Sequence, residues 1–128
     1  MSFEYHGWAV ARNSPKDAGL STETERGLRQ LLADLADDHR EIGGRFINGE
    51  FSLWASGLSN HRGPDFDDVR NLFSALADLA PGSYGLLYFR DLEDRESSEV
   101  FHVLVLARGR LQQVEDLFLS PCVPAIED

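Results

Sequence analysis

Apolar residues recur along this chain at two spacings, one typical of strands and one typical of helices. Phe3 to Arg12 is apolar and aromatic and ends at the breaker Asn13-Ser14-Pro15, so it is predicted to be a strand. Thr22 and Glu25 form a capping-box pair that opens a predicted amphipathic helix of about 18 residues. The apolar stripe of this helix consists of Leu28, Leu31, Leu32, Leu35 and His39. Gly43-Gly44 is predicted to end it.

The chain then continues with a hairpin and a second helix. Arg45 to Asn48 and Phe51 to Leu58 are predicted strands, joined at Asn48-Gly49, which is a strong signal for a two-residue turn. Asp65 is predicted to cap the second helix, and Pro81-Gly82 to end it. The apolar stripe of the second helix consists of Val69, Leu72, Phe73, Leu76 and Leu79.

Two nearly continuous apolar stretches, Tyr84 to Arg90 and Val100 to Ala107, predict strands at central, doubly covered positions of a sheet. A short edge strand from Leu111 to Val114 and an extended surface tail from Leu117 to Asp128 are expected to follow. The order βαββαββ predicts an α+β fold, with a single, mostly antiparallel sheet and two helices packed on one face. With 128 residues, the chain is expected to form one domain over residues 1–128.

The charge of the chain adds a binding hypothesis to this fold. The sequence carries 22 Asp and Glu against 12 Lys and Arg, a net charge of −10. Asp34, Asp37, Asp38 and Glu41 fall at i, i+3, i+4 and i+7, so they would share one face of the first helix. They would crowd its C-terminal turns, where the helix dipole favours cations, and like charges at this spacing cost roughly 0.2–0.5 kcal/mol per pair. Because this stripe has no local structural benefit, it indicates a surface for a cationic partner.

A second acidic group lies in the connection between the two apolar strands. Its members are Asp91, Glu93, Asp94, Glu96 and Glu99, interrupted by Arg95. Solubility and protection of a sheet edge explain such charges in most proteins. Because the first helix is also predicted to carry a stripe of acids, we favour a role in partner binding for this second group.

Trp54 is a further candidate for partner binding. Phe51, Leu53 and Ala55 alternate onto one face of their strand, so Trp54 is predicted to lie on the other face, away from the helices and beside Trp8. Exposed Trp is a typical interface anchor. The alternative is that the C-terminal segment 117–126 covers Trp54, and both possibilities remain open.

Catalytic and metal-binding chemistry find little support in the sequence. Cys122 is the only cysteine, which excludes an internal disulfide and a multi-Cys zinc site. The histidines lack metal-ligand spacing, so neither a metal nor another cofactor is predicted. The loop around His61 and Arg62, with His6 or His102, is the candidate for an alternative function in small-molecule binding or catalysis. The residues of this loop are also explained if they only form the turn before the second helix.

The composition also bears on partners and location. A pI near 4.7 argues against direct binding of nucleic acid, because phosphate contacts need Lys and Arg clusters. The N-terminal residues lack the basic and apolar regions of a signal peptide, and no apolar run is long enough to span a bilayer. We therefore expect a cytoplasmic protein that is not membrane-bound. Self-association is an open third possibility.

Several stretches of the sequence, taken together in order, are similar to one known family. They are Tyr5-His6-Gly7-Trp8, Asn48-Gly49-Glu50, Ser59-Asn60-His61-Arg62-Gly63, the stretch from Ala80 to Tyr88, and the stretch from Phe118 to Pro124 with the ending Ile126-Glu127-Asp128. This set resembles immunity protein family seven of bacterial polymorphic toxin systems, over essentially the whole chain. The resemblance implies a small cytoplasmic α+β protein that binds and neutralises the catalytic domain of a cognate toxin, often a nuclease. It implies no catalytic residues and does not identify the toxin.

Overall fold

The structure is a computed structural model that describes residues 3–17, 19–35, 40–59, 63–94 and 98–120. Within these residues the strands are β1 (Phe3–Ala11), β2 (Arg40–Ile47), β3 (Glu50–Ser59), β4 (Tyr84–Asp91), β5 (His102–Ala107) and β6 (Arg110–Glu115). The helices are α1 (Thr22–Leu35) and α2 (Pro64–Leu79). The strands form one sheet in the order β2-β3-β1-β4-β5-β6, and neighbouring strands are antiparallel. The predicted α+β class and element order are confirmed, and β6 is the predicted edge strand.

Both helices pack on one face of the sheet and enclose the core there. The ring of Phe66 in α2 lies 5.0 Å from that of Phe3 in β1 and 4.7 Å from that of Phe89 in β4. Leu28 of α1 and Phe73 of α2 are fully buried. Because side chains alternate along a strand, the neighbouring residues of each strand point to the opposite face, which we call the open face.

The prediction that both central strands are covered on two faces holds for β5, where Val103 on the open face and Leu104 on the other face are both buried, but not for β4. β4 is central, yet Leu86 and Tyr88 on its open face are only partly buried, while Leu87 and Phe89 beneath them are buried. The continuous apolar pattern of β4 therefore does not reflect a second covering layer. It reflects an apolar surface on the open face.

The first helix does not extend to Gly43-Gly44, where the sequence predicts its end. α1 ends at Leu35 and β2 begins at Arg40, so Glu41 lies on a strand and the predicted helical stripe of acids ending at Glu41 is wrong. Gly43 and Gly44 lie inside β2, where they allow close packing. A Cβ at Gly44 would lie 2.7 Å from Leu32 Cδ1, and one at Gly43 would lie 2.5 Å from Trp54 Cζ2.

Two turn predictions had different outcomes. The β2–β3 turn at Asn48-Gly49 is confirmed, since both residues have positive φ (52° and 84°), as a type I′ turn requires. The predicted cap at Asp65 is wrong: α2 begins at Pro64, and its N-cap is Gly63, which makes no side-chain cap hydrogen bond. Proline suits the first helical position because its φ is already helical and it has no N–H to leave unpaired.

Candidate functional site

The open face carries two tryptophans side by side. Trp8 of β1 and Trp54 of β3 are directly opposite in register, and their side chains are 46% and 40% exposed. The ring of Tyr84 lies edge-on to Trp8, with centroids 6.1 Å apart. Trp54 thus lies away from the helices and beside Trp8, as the strand alternation predicts. Side chains of this size are rarely left in water on a sheet face without a role in binding.

A shallow apolar groove of about 450 Å³ runs along the open face next to these tryptophans. We call it the aromatic groove. It is lined by His6, Gly7, Trp8, Trp54, Ala55, Ser56, Leu86, Tyr88, Phe101 and Leu119. His6 stands at its edge, where its Nε2 lies 3.0 Å from Glu4 Oε2. An apolar groove with a few polar groups at its edge suits an apolar ligand or an apolar side chain of a partner.

The segment after β6 closes one end of this groove. The carboxylate of Asp116 accepts hydrogen bonds from the N–H groups of Phe118 (2.9 Å) and Leu119 (3.0 Å) and from the hydroxyl of Ser120 (2.7 Å). Ser120 Oγ in turn accepts a hydrogen bond of 2.8 Å from the N–H of Phe101, just before β5. We call residues 116–120 the Asp116 turn. Its hydrogen bonds fix where Leu119 meets the groove.

The electrostatics of Asp116 agree with this role as an acceptor. Burial acts to raise the pKa of its carboxyl group, but hydrogen bonds from Phe118, Ser120, Leu119 and Tyr88 outweigh burial and leave the pKa below its ordinary value. Burial, followed by the charge of Asp116 and their hydrogen bond, raises the pKa of the Tyr88 hydroxyl. The carboxylate is therefore ionised and the phenol neutral at pH 7, as donation from Tyr88 to Asp116 requires.

The sequence pattern does not predict the Asp116 turn, because it predicts an extended tail from Leu117 to Asp128. The local signal for it is an Asp at a strand end, followed by apolar residues and then a Ser. Short polar side chains of this kind bond to backbone N–H groups two or three residues further on. The contacts with Tyr88 and Phe101 come from distant parts of the chain and leave no local pattern.

The sheet topology gathers acidic side chains at one end of the molecule. β1, β2, β5 and α2 begin at this end, and β3, β4 and β6 finish there. Asp34, in the last turn of α1, lines a groove between the helices together with Asp68 of α2. We call this region the acidic end. Its acidic residues are Glu4, Asp34, Glu41, Asp65, Asp67, Asp68, Asp91, Glu93, Asp94, Glu99 and Glu115. Arg90 also lies there, with its Nε 3.6 Å from Glu4 Oε1.

The opposite end of the molecule is nearly balanced in charge. It carries Arg12, Lys16, Arg26, Arg108 and Arg110, together with Asp17, Glu23, Glu25, Glu50 and Asp78. Arg12 Nη1 lies 3.6 Å from Glu50 Oε1. The described part of the chain is therefore electrically polarised along its strands.

The structure brings several predicted site residues to the acidic end. Asp34, on α1, and Glu41, on the open face of β2 opposite Ser56, approach it from one edge of the sheet. Glu93 and Asp94 are exposed in the connection after β4. Asp91 has a local structural role as well, since its Oδ1 accepts a hydrogen bond of 3.0 Å from the N–H of Glu93. The predicted residues Asp37, Asp38 and Glu96 lie outside the described residues.

Two histidines of the alternative site, His6 and His102, lie on opposite faces of the sheet. His6 lies on the open face, whereas His102 lies on the helix-covered face, stacked on Phe89 at 5.1 Å. His61 and Arg62 lie outside the described residues, as does Cys122. In the described ranges, no three His, Cys, Asp or Glu side chains are placed to hold a metal ion. Neither helix there has the length and apolar composition needed to cross a membrane.

Comparisons with known proteins identify the family to which this chain belongs. A family model described as immunity protein 7 matches residues 2–128, nearly the whole chain, which confirms the resemblance drawn from the sequence. No curated protein sequence matches the chain. One similar solved structure is a phage SAM lyase in complex with S-methyl-5′-thioadenosine, at 16% identity, 91% coverage of this chain and 92% of that chain, with a TM-score of 0.30. So low a TM-score carries no argument about fold or function.

Proposed function

The chain belongs to the immunity protein 7 family, and we propose that it neutralises its toxin by stoichiometric binding through the acidic end and the aromatic groove. Membership of the family assigns a role in immunity against a toxin. In this mode of action the chain occupies a surface of the toxin domain and carries out no reaction on it. That surface would be basic and would offer apolar side chains.

The observation that carries this proposal is the meeting of charge and apolar surface at one end of the sheet. Asp34 at the end of α1 and Glu41 at the start of β2 are far in sequence from Glu93 after β4, yet all three lie at the acidic end. The aromatic groove reaches the same end at Tyr88, Phe101 and Leu119. A cationic partner approaching this end would thus meet attractive charge first and apolar surface next.

The two parts would serve different steps of binding. Long-range attraction between the acidic end and a basic toxin raises the association rate, up to ~10⁸–10⁹ M⁻¹s⁻¹ at low salt, and loses strength as salt screens it. Burial of Trp8 and Trp54 in the contact would slow dissociation, because desolvated aromatic side chains dominate interface energies. If the toxin is a nuclease, the acidic end would occupy the basic surface that otherwise binds phosphates.

A titration of toxin activity tests the mode of action. The toxin domain encoded next to this chain is held at a fixed concentration well above the expected dissociation constant, and the immunity protein is added in steps. Stoichiometric binding predicts a linear fall in activity with an endpoint at one immunity protein per toxin. Neutralisation by a small fraction of an equivalent would mean repeated turnover and would contradict the proposal.

A further inference from the structure

We propose that Leu117, Phe118 and Leu119, presented by the Asp116 turn, form the apolar anchor that inserts into the toxin domain. This inference rests on the proposed function and deepens it by naming the contact that holds the complex together. Leu117 is 78% exposed, Phe118 85% and Leu119 44%. Two adjacent large apolar side chains this exposed, next to Leu119 at the edge of the aromatic groove, are an unusual feature for a folded surface and mark an interaction site.

Hydrogen bonds hold the turn that carries these side chains in one conformation. Asp116 is buried, and its carboxylate accepts two backbone N–H groups and the Ser120 hydroxyl, while Ser120 ties the turn to Phe101. Tyr88 adds a further hydrogen bond to the carboxylate from β4. An anchor fixed in this way loses little conformational entropy on binding, which is the advantage of a preorganised interface.

The negative charge beside the Asp116 turn indicates that the partner bound there is cationic. Glu115 immediately precedes the Asp116 turn, and Glu99 lies two residues before Phe101, to which the turn is bonded. These carboxylates would lie at the edge of the apolar contact, with Glu115 on the helix-covered side opposite His102, and polar groups commonly occupy the edge of an interface. The matching surface is therefore an apolar recess flanked by Lys or Arg, which suits the basic toxin domain of the proposed function.

A second copy of this chain fits the same surface poorly. A symmetric dimer through the Asp116 turn would bring one acidic end against another, in a chain of net charge −10. Like charges facing each other across an interface oppose association. We therefore assign the anchor to the toxin rather than to self-association.

The test compares Phe118→Ala with a matched control, Phe46→Ala. Phe46 is 42% exposed in β2, so the control removes the same side chain from another part of the surface. Association and dissociation rates are measured against the immobilised toxin domain. We expect Phe118→Ala to raise the dissociation rate tenfold or more, with the association rate changed less than about twofold, because rim charge rather than apolar contact sets association. Phe46→Ala is expected to leave both rates within about twofold.

Asp116 is tested as a positioning residue in the same assay. Asp116→Ala should raise the dissociation rate although all three apolar side chains remain, and Asp116→Asn, which keeps one acceptor oxygen, should restore part of the loss. Faster hydrogen exchange at the Leu119 amide in Asp116→Ala, without a fall in overall protection of the sheet, would show that the turn alone has loosened.

The outcomes separate this inference from the proposed function. If the unmodified protein binds and neutralises the toxin but Phe118→Ala does so equally well, the anchor is refuted and the proposed function stands. If the unmodified protein neither binds nor neutralises, both fail. If gel filtration shows a dimer that Phe118→Ala converts to a monomer, the side chain serves self-association and the anchor is refuted.

Discussion

The two adjacent glycines of β2 should respond in different ways to the same substitution. Gly43 faces the open face below Trp54, and Gly44 faces the core below Leu32 and Phe51. Alanine adds one methyl group at either position. The comparison therefore tests which face of the sheet is covered by helices and which carries Trp54.

The expected change in the free energy of unfolding follows from the space around each glycine. At Gly44 a Cβ would lie 2.7 Å from Leu32 Cδ1 and 3.0 Å from Phe51 Cε1. Both neighbours are buried and enclosed. Overpacking of this kind costs about 1–3 kcal/mol, and the lower entropy of the unfolded alanine chain offsets about 0.4–1 kcal/mol of it. Gly44→Ala should therefore reduce the free energy of unfolding by roughly 0.5–2 kcal/mol.

At Gly43 the contact is as close, but the neighbour can move. A Cβ there would lie 2.5 Å from Trp54 Cζ2, whereas carbon atoms prefer about 3.5–4.0 Å. The exposed indole can tilt outward by roughly 1 Å, and the same entropic gain offsets the lost contacts. Gly43→Ala should therefore change the free energy of unfolding by less than about 1 kcal/mol while displacing Trp54.

Urea denaturation followed by circular dichroism gives the stabilities, and tryptophan fluorescence reports the side chain. Trp8→Phe provides a background in which Trp54 is the only tryptophan. In that background Gly43→Ala should shift the emission, and Gly44→Ala should shift the denaturation midpoint. A result in which Gly43→Ala is the more destabilising of the two, with unchanged emission, would refute the assignment of the two faces.

Other predictions concern α1, the core and pH. Gly27→Ala in α1, where a Cβ meets nothing within 4 Å, should stabilise the protein by roughly 0.5–1 kcal/mol in thermal denaturation, and a destabilisation would contradict the open space there. Phe73→Ala, at a fully buried ring of α2, should cost about 3–5 kcal/mol in urea denaturation; a loss below about 1 kcal/mol would contradict its place in the core. Because the folded pKa of Asp116 is lowered, its stabilisation is present above the ordinary carboxyl pKa of about 3.9 and is lost as the pH falls through the folded pKa. The acid-side loss of stability should be smaller in Asp116→Asn, and an unchanged pH profile would refute this role.

The parts of the fold that the sequence predicts well are those set by local patterns. Asn48-Gly49 tolerates the positive φ of its turn, and the alternation from Phe51 to Ala55 places Trp54 on the open face. The predicted end of α1 at Gly43-Gly44 is wrong because glycine is compatible with two different structures. Glycine ends helices, but it also permits close packing, and tertiary contacts with Leu32 and Trp54 decide between the two.

The candidate site was predictable only in part, for a similar reason. Composition reveals an excess of acids, and strand alternation reveals Trp54, but neither shows which acids meet in space. The sheet order brings Asp34 and Asp94 to one end, and that order depends on strand pairings between distant segments. The Asp116 turn depends on Tyr88 and Phe101 in the same way, so its apolar residues read in sequence as a tail.

The salt dependence of association with the toxin domain tests most directly whether the acidic end recognises a basic surface. Two variants each remove two charges from the acidic end, Glu93→Gln/Asp94→Asn and Asp34→Asn/Glu41→Gln. Glu23→Gln/Asp78→Asn removes two exposed charges, one at the start of α1 and one near the end of α2. We expect the acidic-end variants to associate roughly three- to tenfold more slowly at low salt, with a weaker salt dependence, and the control to match the unmodified protein. Association that is independent of salt, or slowed equally by the control, would contradict recognition of a basic toxin surface through the acidic end.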